Sequence, residues 1–231
     1  MMDELVRNCA AAGVVISLTA YGIGSALRKR FNTPLMNPLM IAVILVISFL
    51  LATGVEYDSY NDGAKYLSYL LMPATVSLAV PLYQKLDLLR KNMVAVFAGI
   101  ISGVISSLLC VLMMSLLFGL SHEAYVTLLP KSITTAIGIG VAEELGGHIT
   151  ITAAVIIITG VLGNVSAEAV CRLAKIRHPI SRGLAIGTAS HAIGTAKALE
   201  MGETEGAMSS LAIVVSGILT VIGASILSVL I

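Results

Sequence analysis

The stretch PKSITTAIG, at Pro130–Gly138, and the stretch GTASHAIGTAKALEMG, at Gly187–Gly202, are polar interruptions in an otherwise apolar chain. They contain a lysine, a histidine and many hydroxyl groups and glycines. Such segments occur at membrane depth where they line a cavity or are covered by other protein, because lipid offers them no hydrogen bonds. We therefore expect the fold to be arranged around these two stretches.

The composition of the chain is that of an integral membrane protein. Of its 231 residues, 57% are hydrophobic and only 12% are charged, whereas soluble domains carry roughly a quarter charged residues. Its apolar runs have the length of a membrane-spanning helix, about 20 residues, rather than the alternating pattern of roughly ten-residue barrel strands. We therefore predict an all-α, polytopic membrane protein that forms a single domain over residues 1–231.

Charge, cysteines and motifs exclude several classes of protein. The net charge is +1, and no basic run is long enough to indicate a nucleic-acid partner. The cysteines are far apart, without the spacing of metal ligands, and are expected to be small buried side chains: Cys9, Cys110 and Cys171. No HExxH pair, Walker loop or GxGxxG is present, and adjacent Ser190 and His191 would point about 100° apart on a helix. We therefore predict neither an enzyme nor a cofactor or metal site.

The apolar runs predict about six to eight membrane segments. They are Cys9–Leu27, Leu35–Gly54, Tyr66–Tyr83, Asn92–Leu120, Ala124–Gly147, Ile149–Cys171, Leu184–Glu205 and Ala207–Ile231. Because Asp3 and Glu4 oppose a basic leader, the first run is expected to be a retained helix. Pro73 and Pro81 fall in the third run, so its helix must be broken or distorted.

The distribution of charge predicts how these segments are oriented. Lysine and arginine concentrate on the cytoplasmic side of membrane proteins, so three clusters are expected there: 28–30, 85–91 and 172–182. The acidic loop 56–62 and the His122-Glu123 turn are then external. If 124–147 crossed the membrane, the 172–182 cluster would lie outside, so we expect this segment to be re-entrant. For 184–205 both re-entry from the cytoplasm and a crossing remain open, and its acidic residues 200–205 are expected to be solvated.

A weak internal repeat involves both polar stretches. The pattern AIG…A.E.G occurs at 136–146 and again at 192–202, 56 residues later. The sequence PATVSLAV at 73–80 resembles PKSITTAI at 130–137, 57 residues later. Common origin and chance similarity between apolar sequences both account for these matches. If the repeat is real, the last two copies enter from opposite faces, as in inverted-repeat transporters.

Lys131 is the first candidate binding residue. A lysine at membrane depth costs about 2.5–3.5 kcal/mol on insertion scales, so it usually faces a cavity or a partner. The hydroxyl groups of Ser132, Thr134 and Thr135 adjoin it. Together with the amides of a broken helix, these groups suit a small carboxylate. The alternative is that the side chain of Lys131 extends to the membrane interface near His122.

His191, flanked by Ser190 and Thr195, is the second candidate. Histidine titrates near neutral pH, so His191 could bind substrate or relay a coupled proton. A buried histidine that is satisfied by a neighbouring hydroxyl group is an equal alternative. Asn37 is a further candidate binding residue, because the Asn37-Pro38 pair could begin an unwound segment.

Several motifs resemble the CidB/LrgB family over essentially the whole chain. They are NPLM at Asn37–Met40, LMPATVSLAVPLY at Leu71–Tyr83, LPKSITT at Leu129–Thr135, RGLAIGTASHAIGTAKALE at Arg182–Glu200 and EGAMSSLA at Glu205–Ala212. Two positions depart from the family pattern. Ala136 stands where many members have proline, which would soften the break in the first polar stretch, and Met208 replaces a common aromatic residue.

The resemblance implies a multi-pass protein of the bacterial plasma membrane that acts beside a small LrgA/CidA-type membrane partner. Members have been described as holin- or antiholin-like regulators of murein hydrolase export and autolysis. Others are implicated in pyruvate uptake, and plastid relatives exchange glycolate and glycerate. We therefore expect a secondary transporter, or transport subunit, for small monocarboxylates such as pyruvate, glycolate, glycerate or lactate, with or without proton coupling. The alternative is a holin/antiholin-like regulator without a defined substrate site. A homodimer is expected by analogy with such transporters.

Overall fold

The computed structural model describes residues 3, 6–7, 9, 11–31 and 36–231. By their internal contacts they form two compact units, 1–77 and 78–231. Leu35, the predicted start of the second span, lies outside the described residues, as does part of the first span at residue 10. The prediction of a single domain stays a prediction.

The described part of the N-terminal unit includes the helices α1 (Ala12–Phe31), α2 (Pro38–Thr53), α3 (Tyr57–Tyr69) and α4 (Leu71–Ser77). The side-chain oxygen of Asn37 accepts hydrogen bonds from the first free amides of α2, and Pro38 follows at the first helical position. Gly54 ends α2 in the left-handed conformation, with φ of 67°. The Ser17 and Tyr60 hydroxyls lie 2.7 Å apart and join α1 to α3.

The C-terminal unit contains eight further α-helices. They are α5 (Ala79–Gln84), α6 (Leu86–Lys91), α7 (Met93–Phe118), α8 (His122–Leu128), α9 (Thr135–Glu144), α10 (Ile149–Leu173), α11 (Pro179–Met201) and α12 (Glu203–Leu227), followed by a 3-10 turn at Ser228–Leu230. Within the described residues, four helical stretches are long and apolar enough to cross a bilayer: Tyr57–Gln84, Met93–Phe118, Ile149–Leu173 and Glu203–Leu230. The predicted all-α, multi-pass membrane fold is confirmed.

The predicted break in the third apolar run is present. Turns at Leu70 and Leu78 separate α3, α4 and α5. Pro73 and Pro81 each fall in the first turn of a short helix. Proline is tolerated there because the amide that it lacks would have no partner within the helix.

The first polar stretch forms a hairpin of α8 and α9, here called the first hairpin (His122–Glu144). The non-helical loop Leu129–Thr134 joins its two helices. After α9 the chain returns to its starting point: the His148 amide donates to Thr127 Oγ1 at 2.8 Å, and His148 Nε2 lies 3.2 Å from a Glu123 carboxylate oxygen. A pair of helices that crossed the bilayer would separate these groups by about 30 Å. The first hairpin therefore enters and leaves at the same end, as predicted.

The second polar stretch forms a second hairpin (Pro179–Met201), in which the two halves of α11 run antiparallel. The backbone at His191 is not helical, with φ of 42° and ψ of −140°. Gly187, before this break, packs against Ser209 of α12. Thr195, after the break, lies 2.7 Å from the same serine hydroxyl. A straight helix would place residues 187 and 195 about 12 Å apart. Of the two alternatives, re-entry is therefore the one observed.

Ion pairs bring two predicted cytoplasmic clusters to the same end of the C-terminal unit. Lys85 lies 3.0 Å from Glu203, and Arg182 lies 3.8 Å from Glu205. Both glutamates belong to the first turn of α12, where the helix dipole favours negative charge. The last helix thus begins earlier than predicted. The expectation that residues 200–205 are solvated is wrong for Glu205, which is buried.

The two hairpins enter from opposite ends of the C-terminal unit. The base of the first lies beside the start of α10, at His148, and the second is tied near the end of α10 by the ion pair of Lys197 with Glu168. Helix α10 has 25 residues, so its ends are about 37 Å apart. Each hairpin follows a spanning helix, and these helices, α7 and α10, begin 56 positions apart. The hairpins themselves begin 57 positions apart. The offset of the spanning helices equals the 56 residues of the AIG…A.E.G repeat, and that of the hairpins differs from it by one residue. This agreement favours common origin over chance.

The core of the C-terminal unit lies between α7, the first hairpin and α12. Helix α7 contributes a buried stripe with a spacing of three to four residues: Val96, Ile100, Val104, Leu108 and Val111. Tyr125 of the first hairpin is fully buried and donates a hydrogen bond to the Leu227 carbonyl at 3.0 Å. These contacts fix the outer part of the first hairpin against both spanning helices.

Candidate functional site

Residues at or near the tips of both hairpins contact the middle of α7, one helical turn apart. A Cβ atom at Gly103 would lie 2.8 Å from the Thr188 methyl group of the second hairpin. One turn further along α7, Ser107 Oγ lies 3.0 Å from Ser132 Oγ and 3.3 Å from Lys131 Nζ of the first hairpin. Broken helices that meet in the middle of the spanning helices form the binding sites of many secondary transporters.

A cavity of about 600 Å³ lies between α7 and the two tips. It is lined by Ala95, Gly99, Ser102, Gly103, Ser106, Ser107, Cys110, Lys131, Ser132, Ser181, Leu184, Ala185, Thr188 and Ala189. The volume is within the range of about 300–1,000 Å³ that is typical of small-molecule sites. The side chains of the lining are small and rich in hydroxyl groups, and Lys131 is the single charged one among the described lining residues.

The Lys131 ammonium group is the dominant charge of the cavity. It donates to Ser132 Oγ at 2.9 Å and to Ser107 Oγ at 3.3 Å. In the described part of the chain, no carboxylate lies within ion-pair distance of it. Its side chain points to the middle of α7 and not to the membrane interface. An ammonium group held at this depth without a counter-ion creates a site that favours an anion.

Thr188 and Ser107 line the cavity but were not among the site residues predicted from the sequence. Thr188 is 6% exposed, and its hydroxyl oxygen is buried without a hydrogen-bond partner among the described residues. A buried hydroxyl group without a partner costs free energy, so a ligand or water molecule that hydrogen-bonded to it would stabilise the site. The available signal was spacing: Ser181, Leu184 and Thr188 recur on one helical face of the second hairpin.

The two remaining candidates of the first hairpin lie behind its tip. Thr134 occupies the residue before α9 and Thr135 begins that helix, and neither lines the cavity. Helix α9 starts at this point although Ala136 stands in place of proline. The break is thus produced by the preceding loop, where the Lys131 and Ile133 amides form turn hydrogen bonds.

His191 forms the tip of the second hairpin, and its side chain is buried between helices. Its ring Nε2 lies 3.0 Å from the Ile156 carbonyl oxygen of α10. Because a carbonyl oxygen can only accept a hydrogen bond, Nε2 carries the hydrogen and donates it. Thr195 Oγ1 donates to the His191 carbonyl at 2.9 Å and lies 2.7 Å from the Ser209 hydroxyl. His191 and Thr195 therefore contact α10 and α12 and are absent from the cavity lining.

Helix α10 provides a recess that accepts this tip. A Cβ atom at Gly160 would lie 2.7 Å from the His191 ring, and one at Gly163 would collide with the Ser190 hydroxyl. One residue later, the side-chain amide of Asn164 donates to a tip carbonyl at 2.6 Å. Glycine is required at these two positions because the second hairpin approaches α10 closely there. The sequence does not show this role, since glycines are common in apolar membrane spans.

The predicted site residues thus fall into three groups. Lys131 and Ser132 line the cavity. Thr134 and Thr135, with Ser190, His191 and Thr195, support the two tips without facing the cavity. Asn37 belongs to the N-terminal unit, where its side chain caps α2. The binding role assigned to all eight residues stays a prediction.

A comparison with known families identifies the relatives of this chain. The model of the LrgB-like family matches residues 17–230. The chain belongs to the LrgB-like family. This LrgB-like chain is 37% identical over 219 residues to the "Holin-like protein CidB" of Staphylococcus epidermidis, and the alignment covers 95% of both proteins. It is 38% identical over 211 residues to the "Antiholin-like protein LrgB" of Bacillus cereus, covering 91% of this chain and 92% of that protein. No solved structure matches it.

Proposed function

We propose that this LrgB-like chain is a carrier of small monocarboxylates, in which Lys131 binds the carboxylate group. The observation that supports this most strongly is a lysine that has no carboxylate partner among the described residues and is held in a cavity that both hairpins line. Ser107 and Ser132 adjoin the ammonium group, and the Thr188 hydroxyl has no partner in the same part of the chain. These groups suit a 2-oxo or 2-hydroxy acid such as pyruvate, glycolate, glycerate or lactate, which offers acceptors beside its carboxylate.

Transport would use the opposed entry of the hairpins. Each hairpin ends at the cavity and has its base at one end of the C-terminal unit. A movement of one hairpin against the spanning helices would open the cavity to one side while the other hairpin keeps it closed. In this proposal His191 relays the coupled proton or positions the second tip. The protein acts in the bacterial plasma membrane, as a homodimer, beside a small LrgA/CidA-type membrane protein.

Regulation of the holin/antiholin type is the second candidate function. The names of the relatives, holin-like CidB and antiholin-like LrgB, favour it. The chain would then modulate murein hydrolase export and autolysis without a fixed substrate, and the small residues around the cavity would be a helix-packing seam. The carrier and the regulator differ in one measurable property, which is saturable binding at Lys131.

Uptake of labelled pyruvate, glycolate and lactate into proteoliposomes separates the two candidates. We expect saturable uptake that is lost in Lys131→Gln, and Thr188→Val is expected to weaken the apparent affinity about tenfold, because it removes a hydrogen bond to a charged ligand. Thr188→Ser keeps the hydroxyl group and should retain transport. Lys91→Gln removes a lysine outside the cavity and serves as the matched control. An unsaturable leak that Lys131→Gln leaves unchanged contradicts the carrier proposal.

The role of His191 is tested in the same vesicles. An imposed proton gradient should accelerate uptake by the unmodified chain. In His191→Gln this acceleration is expected to disappear, whereas exchange of internal for external substrate, which moves no net proton, should continue. Equal loss of both activities would assign His191 to positioning of the second hairpin instead of proton coupling.

A further inference from the structure

A second cavity lies at the base of the second hairpin. Its volume is about 490 Å³, and it is formed where the end of α10 meets the first and last residues of the second hairpin. Four basic side chains line it: Arg172, Lys175, Arg177 and Arg182. Two carboxylates, Glu168 and Glu200, complete the charged lining. This cavity is separate from the one at Lys131, since the two share no lining residue.

The carboxylates of this second cavity are already engaged. Glu168 and Glu200 both pair with Lys197, at 2.5 Å and 3.4 Å. The Lys197 side chain is only 12% exposed, so its ammonium group needs both carboxylates as partners. The two glutamates therefore remain paired with Lys197. Arg182 is placed 3.8 Å from Glu205. A surplus of positive charge therefore remains in the lining.

The surplus charge belongs to Arg172, Lys175 and Arg177. In the part of the chain that the structure describes, none of the three has an ion-pair partner. These three residues are exposed, whereas the cavity behind them is bounded by the buried Cys171. Three cations that converge on one concave surface repel one another, and an anion between them removes that repulsion.

The backbone holds these cations in a defined arrangement. After α10 the amide of Ile176 donates to the Cys171 carbonyl at 2.8 Å, and Lys175 has a positive φ of 55°. This is the hydrogen bond of a Schellman turn, which reverses the chain at the end of a helix. Arg182 Nε then donates to the Ile176 carbonyl at 2.9 Å and fastens the turn to the second hairpin. The turn thus brings Arg172 and Arg177 into the lining of the same cavity.

We infer that this cavity binds a phosphate-bearing anion at the cytoplasmic face. Arginine offers a planar fork of donors that matches phosphate oxygens, and Arg172 and Arg177 have no carboxylate partner among the described residues. Basic cavities between transmembrane helices on the cytoplasmic side suit anionic lipid headgroups, and a free phosphate presents the same chemistry. Because the lining includes Arg182 and Met201, the bound anion would join both ends of the second hairpin to α10.

The proposal is tested by titration of the purified full-length chain in detergent, followed by native mass spectrometry. The probes are dioleoyl phosphatidylglycerol, zwitterionic dioleoyl phosphatidylcholine and inorganic phosphate. We expect one saturable site for phosphatidylglycerol or for phosphate, weakened about 25-fold in Arg172→Gln/Arg177→Gln, because each basic residue near an anionic headgroup contributes about a factor of five. The single variant Arg177→Gln should weaken binding about fivefold and guards against a folding defect in the double variant.

Arg90→Gln/Lys91→Gln is the matched control, since it removes two exposed cations from the same end of the same unit. Loss of phosphatidylglycerol or phosphate binding that is confined to the Arg172/Arg177 variants supports the proposed site. Displacement of bound lipid by millimolar phosphate then identifies a soluble source, and its absence identifies the lipid. Equal loss of binding in both double variants overturns the inference. It is also overturned if the chain binds phosphatidylglycerol and phosphatidylcholine equally and shows no saturation with phosphate.

Discussion

The two hairpins have the same topology but opposite chemistry at their tips. The first ends in a six-residue loop, Leu129–Thr134, whose lysine faces an open cavity without a carboxylate partner among the described residues. The second turns at a single buried residue, His191, which is held by a hydrogen bond to α10. Neighbouring Thr195 joins the same tip to Ser209 of α12. The first tip thus carries an unsatisfied charge, and the second carries an internal network of hydrogen bonds.

This difference indicates a division of roles within one repeat. A hairpin that must bind and release a charged molecule needs polar groups that are unsatisfied when the site is empty. A hairpin that supports such a site needs the reverse, because buried polar networks hold a fixed geometry when every member is satisfied. Thr188 is the exception in the second hairpin: it lines the cavity, and its hydroxyl group has no hydrogen-bond partner among the described residues.

The largest effect is expected where the second tip is seated. Gly163→Ala would place a methyl group into the Ser190 side chain, so we expect a loss of about 3 kcal/mol in stability and a melting temperature lower by about 10 °C. Gly140→Ala is the control, because nothing lies within 4 Å of its Cβ position in α9. It should be neutral or stabilising by up to about 1 kcal/mol. Thermal unfolding in detergent measures both, and equal melting temperatures would show that the second tip is not packed in this recess.

Much of this architecture follows from the sequence because membranes restrict the available structures. Helices α7 and α10 begin within one residue of their predicted starts at 92 and 149, since long apolar runs have no alternative in lipid. The re-entrant form of 124–147 followed from the position of the 172–182 cluster. The second hairpin remained undecided because its acidic end suggested a crossing. The structure assigns Glu203 and Glu205 to α12, which removes that conflict.

The site itself was only partly predictable. Lys131 was conspicuous because a charge at membrane depth requires an explanation. Thr188 and Ser107 were not, since hydroxyl groups are common in apolar helices and their importance depends on which face meets the other hairpin. Sequence also made Ser190 and His191 candidates for binding. Their side chains instead contact α10, because the hairpin turns at His191 and rotates them away from the cavity.

Substitutions at the two tips should change stability in opposite directions. Lys131→Met removes an unpaired ammonium group from the membrane interior and should raise the stability by about 1–2 kcal/mol, while uptake is lost. His191→Ala removes a buried hydrogen bond and leaves a cavity, and should lower the stability by about 2 kcal/mol. Melting temperature and uptake, measured on the same preparations, report both effects. If Lys131→Met destabilises the protein as much as His191→Ala, the lysine is a structural residue and the contrast between the tips is lost.

The smallest effect is expected in the coupling free energy between two hydroxyl groups, measured for one pair at each tip. The Thr195 and Ser209 hydroxyls, 2.7 Å apart, are buried. A double-mutant cycle with Thr195→Val and Ser209→Ala should give a coupling of about 0.6 kcal/mol, the average for hydrogen bonds between membrane helices. The Ser107 and Ser132 hydroxyls, 3.0 Å apart, border the cavity. Water can replace each partner there, so the cycle with Ser107→Ala and Ser132→Ala should give a coupling near zero in the absence of substrate. Stronger coupling at the cavity than at the buried pair would mean that the first tip is as preformed as the second.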